Sequence, residues 1–309
     1  MSLEDPAVIT CSISGAIANR EQCPAIPYTP GEYAAEARRI VDEGGVMIHI
    51  HARKPDGTPS YEVEDFEAIT HAIREEVGDA AIVNFSTGTI GVPVAKRIEY
   101  LRACRPEVAA LNMGSMNYAK YSRARKQFVF EMVFANPFEE IVELLEAMNE
   151  LGIKPEHECF DVGHVGSLAP LIDMGVLRRP LHVDCVMGVL GGIPPSASNL
   201  AAMVENIPAE PDGGVGGVRS HWGVIGISRE QWLVVAAALT LGGSIRVGLE
   251  DNLYLPDGTM ARSNGELVAK ARQMTEDVGR RPASVREARA MLAVPQREAA
   301  LDPVTGQRS

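Results

Sequence analysis

His49 and His51 stand two residues apart at the end of an apolar run, Val46 to His51, that breaks at the turn Pro55-Asp56-Gly57. Alternate side chains of an extended strand share a face, so the two imidazoles emerge together, about 6.5–7 Å apart at Cα. They can converge on one metal ion while Ile48 and Ile50 pack behind them. A bare His-x-His can equally be a strand with two incidental histidines, and a metal site needs a third donor. Glu250 offers one, in the run Arg246-Val-Gly-Leu-Glu250-Asp251-Asn252 near the other end of the chain. Two neutral imidazoles and a carboxylate suit Zn²⁺ with a position left open, where the ion acts as a Lewis acid on a carbonyl oxygen. Arg246 precedes Glu250 by four residues and Asp251 by five. A buried arginine there would keep Asp251 ionised and orient it as a base.

These residues have to be positioned, and the chain supplies alternating strand and helix signals from end to end. Strands are expected at 7–13, 46–51, 81–85, 108–112, 158–162, 181–186, 219–225 and 244–248. Helices are expected at 30–43, 63–77, 94–104, 137–151, 168–174, 199–206, 229–241 and 265–278. The helix at 30–43 opens on Thr29-Pro30 and stops at Gly44-Gly45, an N-cap with proline at N1 and a glycine stop. The β-like run Phe128 to Phe134 suggests a hairpin or arm within 118–136, and 284–292 reads as an extra terminal helix. Eight alternations predict a (β/α)8 TIM barrel, in one domain over 1–309 with a polar tail from about 295. A doubly wound sheet fits less well, because polar groups follow nearly every strand end and a barrel gathers those ends on one face. On that face the candidates are Ser14, His49, His51, Ser86, Asn112, Ser115, Glu158, Arg246, Glu250 and Asp251. Glu158, taken at the start of its strand, reads by itself as a surface acid. His164, His182 and His221 read as packing histidines. Gly188 to Gly192 reads either as a flexible loop or as backbone N–H groups for a phosphate.

The 309 residues are 46% hydrophobic, enough for a large core, and carry 41 acids against 29 bases for a net charge of −12. An acidic chain without a basic run argues against nucleic acid as a partner. The five scattered cysteines include no Cys-x-x-Cys, which fits reduced thiols in the cytoplasm. No apolar run approaches the ~20 residues of a membrane span, and no signal peptide is indicated.

Taken together, the motifs resemble those of the β-keto acid cleavage enzymes, from about Ile9 to Leu292. They are Ser14-Gly15-Ala16, Pro27 to Pro30, His49-Ile50-His51 with Asp56-Gly57-x-Pro59-Ser60, and Ser86-Thr87-Gly88. Further along come Pro106-Glu107 with Leu111-Asn112, Pro155 with Glu156 and Glu158, and Arg246 to Asn252. The resemblance implies a TIM barrel with one Zn²⁺ on His49, His51 and Glu250. It implies that a β-keto acid and acetyl-CoA are converted to acetoacetate and a new acyl-CoA. Asp251 would be the general base with Arg246 assisting, Glu158 would support the chemistry, and Ser86 would help hold the substrate carboxylate. The substrate pocket would include Gly88, Thr89, Ala110, Asn112 and Ile17. Family members acting on 3-keto-5-aminohexanoate have a glutamate where Ile17 stands, which meets the substrate ammonium. An isoleucine cannot pair a cation, so a neutral or apolar keto acid is expected. Ala110 lacks the family's small hydroxyl, and Thr89 replaces a glycine. The family also implies a homo-oligomer, a tetramer, for which the 123–125 region and Phe128 to Phe134 would supply contacts. The alternatives are a zinc-dependent hydrolase or lyase on the same fold and a metal-binding protein without turnover. Barrel hydrolases place His-x-His on the first strand and usually add a carboxylated lysine. Here the pair falls on the second strand, and no lysine ends a middle strand.

Overall fold

In the computed structural model, which describes residues 3–210, 213–215 and 217–295, eight parallel strands close on one another. They are β1 (Ile9–Ser12), β2 (Met47–Ile50), β3 (Ile82–Ser86), β4 (Val108–Asn112), β5 (Lys154–Cys159), β6 (His182–Met187), β7 (His221–Gly226) and β8 (Ser244–Val247). The order round the barrel follows the chain, with β8 beside β1 and β6 beside β7. In register, Ser12 faces His49, His49 faces Asn84, Ser86 faces Ala110, Asn112 faces Glu158, and Glu158 faces Asp184. Residues far apart in sequence are therefore adjacent on one wall.

The helices form where apolar residues recur at three- and four-residue spacing. Val63–Val77 buries Phe66, Ile69, Ile73 and Val77, a stripe that packs on the sheet. Pro30–Asp42 begins where the Glu32 carboxylate accepts from the backbone N–H groups of Tyr28 and Thr29, each at 2.9 Å. Ile48, Ile50, Val83, Phe85, Ala109 and Leu111 pack outward among these helices. Each large side chain so buried contributes about 1.5–3 kcal/mol.

Inside the barrel the layers differ. The floor is apolar: Val8, Met47, Ile82 and Val108 cluster with Ala288 and Leu292. Those last two come from the expected terminal helix, Val285–Leu292. Above the floor the interior is polar and still buried, with Asn84, Glu156 and Asp184 and then Ser12, His49, Ser86, Glu158 and Arg246.

Two expectations are corrected here. The fifth strand is Lys154–Cys159, not 158–162, and Val162 belongs to a short helix, Val162–Gly166, followed by Leu168–Asp173. Glu158 therefore sits near the strand's C-terminal end and is buried, not a surface acid at its start. The arm is a full antiparallel hairpin, Met116–Ser122 with Gln127–Phe134. Among the described residues no helix is long and apolar enough to cross a membrane. Beyond Pro295 the expected polar tail lies outside the described residues.

Candidate active site at the barrel mouth

The C-terminal ends of β1, β2, β5 and β8 bring the first-noticed residues together. Nε2 of His49 lies 3.8 Å from Oε2 of Glu250, and Nε2 of His51 lies 3.3 Å from Oε1. One ligand atom from each of the three residues lies within 4.8 Å of the others. His49 is 1% exposed, while the His51 and Glu250 side chains keep 14% and 18%, so the cluster opens toward the mouth. Ser12 donates through Oγ to Glu250, which turns the carboxylate toward the histidines. Two imidazole nitrogens and a carboxylate so close together are a donor set that fits a divalent ion such as Zn²⁺.

Arg246 is the hub beside them. Its Nε and Nη2 donate to the two oxygens of Asp251 at 3.0 Å each, in a bidentate fork. Nη1 donates to Glu158 at 2.8 Å and Nη2 to Glu250 at 2.9 Å. One buried guanidinium thus holds three carboxylates in fixed directions.

Burial pushes Asp251 up to about 7, with Arg246 pulling it down and Glu250's charge adding to the rise. Glu158 is likewise raised to about 8, by burial first and then by Glu156 and Glu250. Glu250 also suffers burial, yet His51, Arg246 and His49 together hold it well below the usual carboxylate range. The arrangement therefore pairs an ionised ligand with a carboxylate poised near neutrality, which suits proton abstraction.

The β1 loop is fitted against this cluster. Gly15 has φ +59°, and a Cβ there would meet Glu250 Cγ at 2.6 Å. Arg53 donates to the carbonyls of Ser14 (3.1 Å), Gly15 (2.8 Å), Ala18 (2.5 Å) and Gly57 (2.7 Å). Ile17 lies between them, 54% exposed. On the opposite wall Ser86, Ala110 and Asn112 are buried, with Gly88 donating its N–H to Ser86 Oγ at 3.1 Å. A Cβ on Gly88 would press on Asn112 Nδ2 at 2.9 Å. Thr89 follows on the same loop, partly exposed.

Other candidates do not join the cluster. Ser14 shares a hydrogen bond with Tyr33 at 2.7 Å and supports the loop. Ser115 accepts from the Asn136 N–H at 2.7 Å, and His164 accepts from the Phe160 N–H at 3.3 Å. His221 packs edge-on to His182. The 188–192 glycines serve close packing: a Cβ on Gly191 would fall 1.8 Å from the Asn117 carbonyl. Lys154 is the sole lysine of the eight strands and lies at the start of β5, the opposite end from the mouth.

A second group was not foreseen. Glu156, His182 and Asp184 lie one layer deeper, all buried and again within 4.8 Å of one another. His182 Nε2 is 3.2 Å from Asp184 Oδ2, and Asn84 donates to Glu156. His182 on an apolar strand reads as packing, and only the pairing of β5 with β6 reveals the group.

A parallel barrel with a histidine–carboxylate cluster at the C-terminal ends of its strands is the architecture of a barrel enzyme. The comparisons narrow this. The model of the beta-keto acid cleavage enzyme family matches residues 6–294, and the chain belongs to that family. A 3-keto-5-aminohexanoate cleavage enzyme of Fusobacterium nucleatum subsp. nucleatum is 35% identical over 287 residues, 93% of this chain and 97% of the relative. A 3,5-dioxohexanoate:acetyl-CoA acetone transferase of Paraburkholderia graminis is 34% identical over 309 residues, 94% of this chain and 97% of the relative. Among solved structures, apo ObcA superposes with a TM-score of 0.72 at 20% identity, over 88% of this chain and 66% of that one, a likeness of fold.

Proposed function

We propose that this protein cleaves a neutral or apolar β-keto acid with acetyl-CoA, giving acetoacetate and a new acyl-CoA. The observation that carries the reading is the single guanidinium of Arg246 binding Asp251, Glu158 and Glu250 at 2.8–3.0 Å beside the histidine pair. His49, His51 and Glu250 would hold a zinc ion, which when bound supplies Lewis-acid polarisation of the keto oxygen.

Asp251 acts as the base. It removes a C2 proton of the keto acid, the methylene between the two carbonyl carbons, and Arg246 holds both its oxygens so that one lone pair faces the substrate. A base near neutrality is well matched to this proton, a step worth about 10²–10⁴-fold. The resulting carbanion attacks the acetyl carbonyl of the thioester, and the coenzyme leaves as thiolate. The thiolate then adds to the original keto carbon. Breaking that carbon's bond to C2 releases acyl-CoA, and C2 regains the proton as acetoacetate departs. Atoms balance without a redox partner. Glu158, on the other arm of Arg246, is the second carboxyl able to hold that proton. Ser86, Gly88, Thr89, Ala110 and Asn112 line the wall that receives the substrate carboxylate. Ile17 on the facing loop offers no charge to an ammonium, and leaving a cation unpaired there is unfavourable.

Relatives with acetyl-CoA in their names support the co-substrate. The resemblance of the motifs supports assembly as a homo-oligomer, a tetramer. The test is a panel of β-keto acids incubated with acetyl-CoA, scoring acetoacetate and the new acyl-CoA together. Neutral keto acids are expected to lead. Superior turnover of the amino substrate would overturn the reading of Ile17, and no acetoacetate from any member would overturn the reaction.

A further inference from the structure

The hairpin Met116–Ser122/Gln127–Phe134 has no part in the chemistry above, yet it stands at the edge of the site. Its base is anchored by rings. Tyr118 stacks on Phe130 at 5.9 Å and meets Phe134 edge-on at 5.8 Å, and Phe134 meets Phe160 at 6.2 Å. Ala119 donates its N–H to the Leu190 carbonyl at 3.3 Å. Burial raises the Tyr118 hydroxyl to about 12, with Glu250, Asp251 and Glu158 adding to it, so this ring feels the catalytic carboxylates. From there a groove of about 540 Å³ runs along the arm, walled by Tyr118, Phe128, Met132, Val133, Leu190 and one charged residue, Glu131. Lys120 along the arm and Arg123, Arg125 and Lys126 at its tip are all exposed. Among the described residues none of the four is in an ion pair. In a chain of net charge −12, four cations within seven residues at the mouth form a local positive end.

We infer that this arm, rather than supplying the subunit contacts expected of 123–125 and Phe128 to Phe134, docks the coenzyme half of the thioester, with the pantetheine in the groove and the phosphates on Arg123, Arg125 and Lys126 at its tip. The inference rests on the acetyl-CoA reading above. The lengths agree. Tyr118 to Ser122, the last strand residue before the cationic turn, spans roughly 13 Å at ~3.3 Å per residue. About 13 bonds from the thiol to the first phosphorus of coenzyme A reach roughly 15 Å at ~3.5 Å per three bonds. Glu131 inside the groove would repel a phosphate but accepts from an amide N–H, which places the amide-bearing segment beside it and the phosphates beyond. The apolar walls suit the dimethyl segment of the same arm.

The test uses the full chain and the triple variant R123E/R125E/K126E. Coenzyme A binding is measured by titration calorimetry at low and high salt, with acetoacetate kinetics and light scattering alongside. About a tenfold weaker affinity is expected in the variant at low salt, a gap that narrows as salt screens the charges. The KM for the keto acid stays within about twofold. Equal coenzyme affinity in both proteins would overturn the arm's role, and so would equal losses for coenzyme and keto acid. A drop in subunit number with coenzyme affinity intact would make the tip a subunit contact and also refute it. If the unmodified protein fails to bind coenzyme A at all, the acetyl-CoA reading itself falls, which is a separate result.

Discussion

Two histidine–carboxylate groups occupy successive layers of one barrel, His49/His51/Glu250 at the mouth and Glu156/His182/Asp184 beneath. Both place their donor atoms within 4.8 Å of one another, so spacing does not separate them, although the upper group offers two imidazoles and one carboxylate and the lower group one imidazole and two carboxylates. Their surroundings do. The upper carboxylate has a guanidinium at 2.9 Å and keeps 18% exposure. The lower pair has no arginine or lysine ion partner among the described residues. Burial and then repulsion from Asp184 push Glu156 up to about 8, and burial lowers His182 to about 4. Glu156 therefore holds its proton more tightly than an ordinary carboxyl does. A cation entering the lower group would have to expel that proton, whereas the upper ligand is already ionised. Geometry nominates both groups; the neighbouring charge and the opening lead us to expect a cation at the upper one.

The sharpest way to break this contrast is metal analysis. One divalent ion per chain is expected by elemental analysis, and none in His49→Ala/His51→Ala, with acetoacetate formation down by about 10⁴-fold. Two ions per chain, or one surviving in that variant, would show the lower group to be a metal site as well. Next in size, Asp251→Asn should lose about 10³-fold in kcat while keeping its ion. Unchanged turnover would remove Asp251 from the role of base. Ile17→Glu should shift kcat/KM toward a cationic keto acid by about tenfold, and an unshifted ratio would show that residue 17 does not face the substrate.

The smallest effect concerns the lower layer. The folded value for Glu156, about 8, lies above its ordinary 4.5. Its contribution to stability is therefore fully present below about pH 4.5 and is lost as pH rises through about 8, because the unfolded chain releases that proton first. Glu156→Gln has no proton to lose. Its Tm relative to the unmodified protein should rise by about 5 °C between pH 5 and pH 8, read by calorimetry. A constant gap would mean that Glu156 is ionised in the fold.

The sequence made the mouth legible and the layer beneath it illegible, for a physical reason. His49-x-His51 is readable because strand alternation alone puts both rings on one face. Arg246, Glu250 and Asp251 are readable because they cluster within six residues. Val63–Val77 and Val94–Cys104 coincide with the expected helices, since a helix with one apolar stripe announces its period. Lys154–Cys159 was displaced because its inward residues include Glu156 and Glu158, and a polar barrel interior erases the hydrophobic signal on which strand reading depends. Met116–Ser122 was hidden in the same way, by Asn117, Lys120 and Ser122. The lower group joins β3, β5 and β6, and its contacts exist only once those strands are paired.

Gly15 carries one more consequence. Its backbone presses so closely on Glu250 that even a methyl group would collide, and Arg53 ties the flanking carbonyls down. The loop bearing Ile17 is thus a fixed mount with an exchangeable tip. On the proposed function, an engineer seeking new keto acids from this barrel should vary the side chain at 17 and leave the length of 14–18 alone. An insertion there would shift Glu250 along with the loop, so the two could no longer be varied separately.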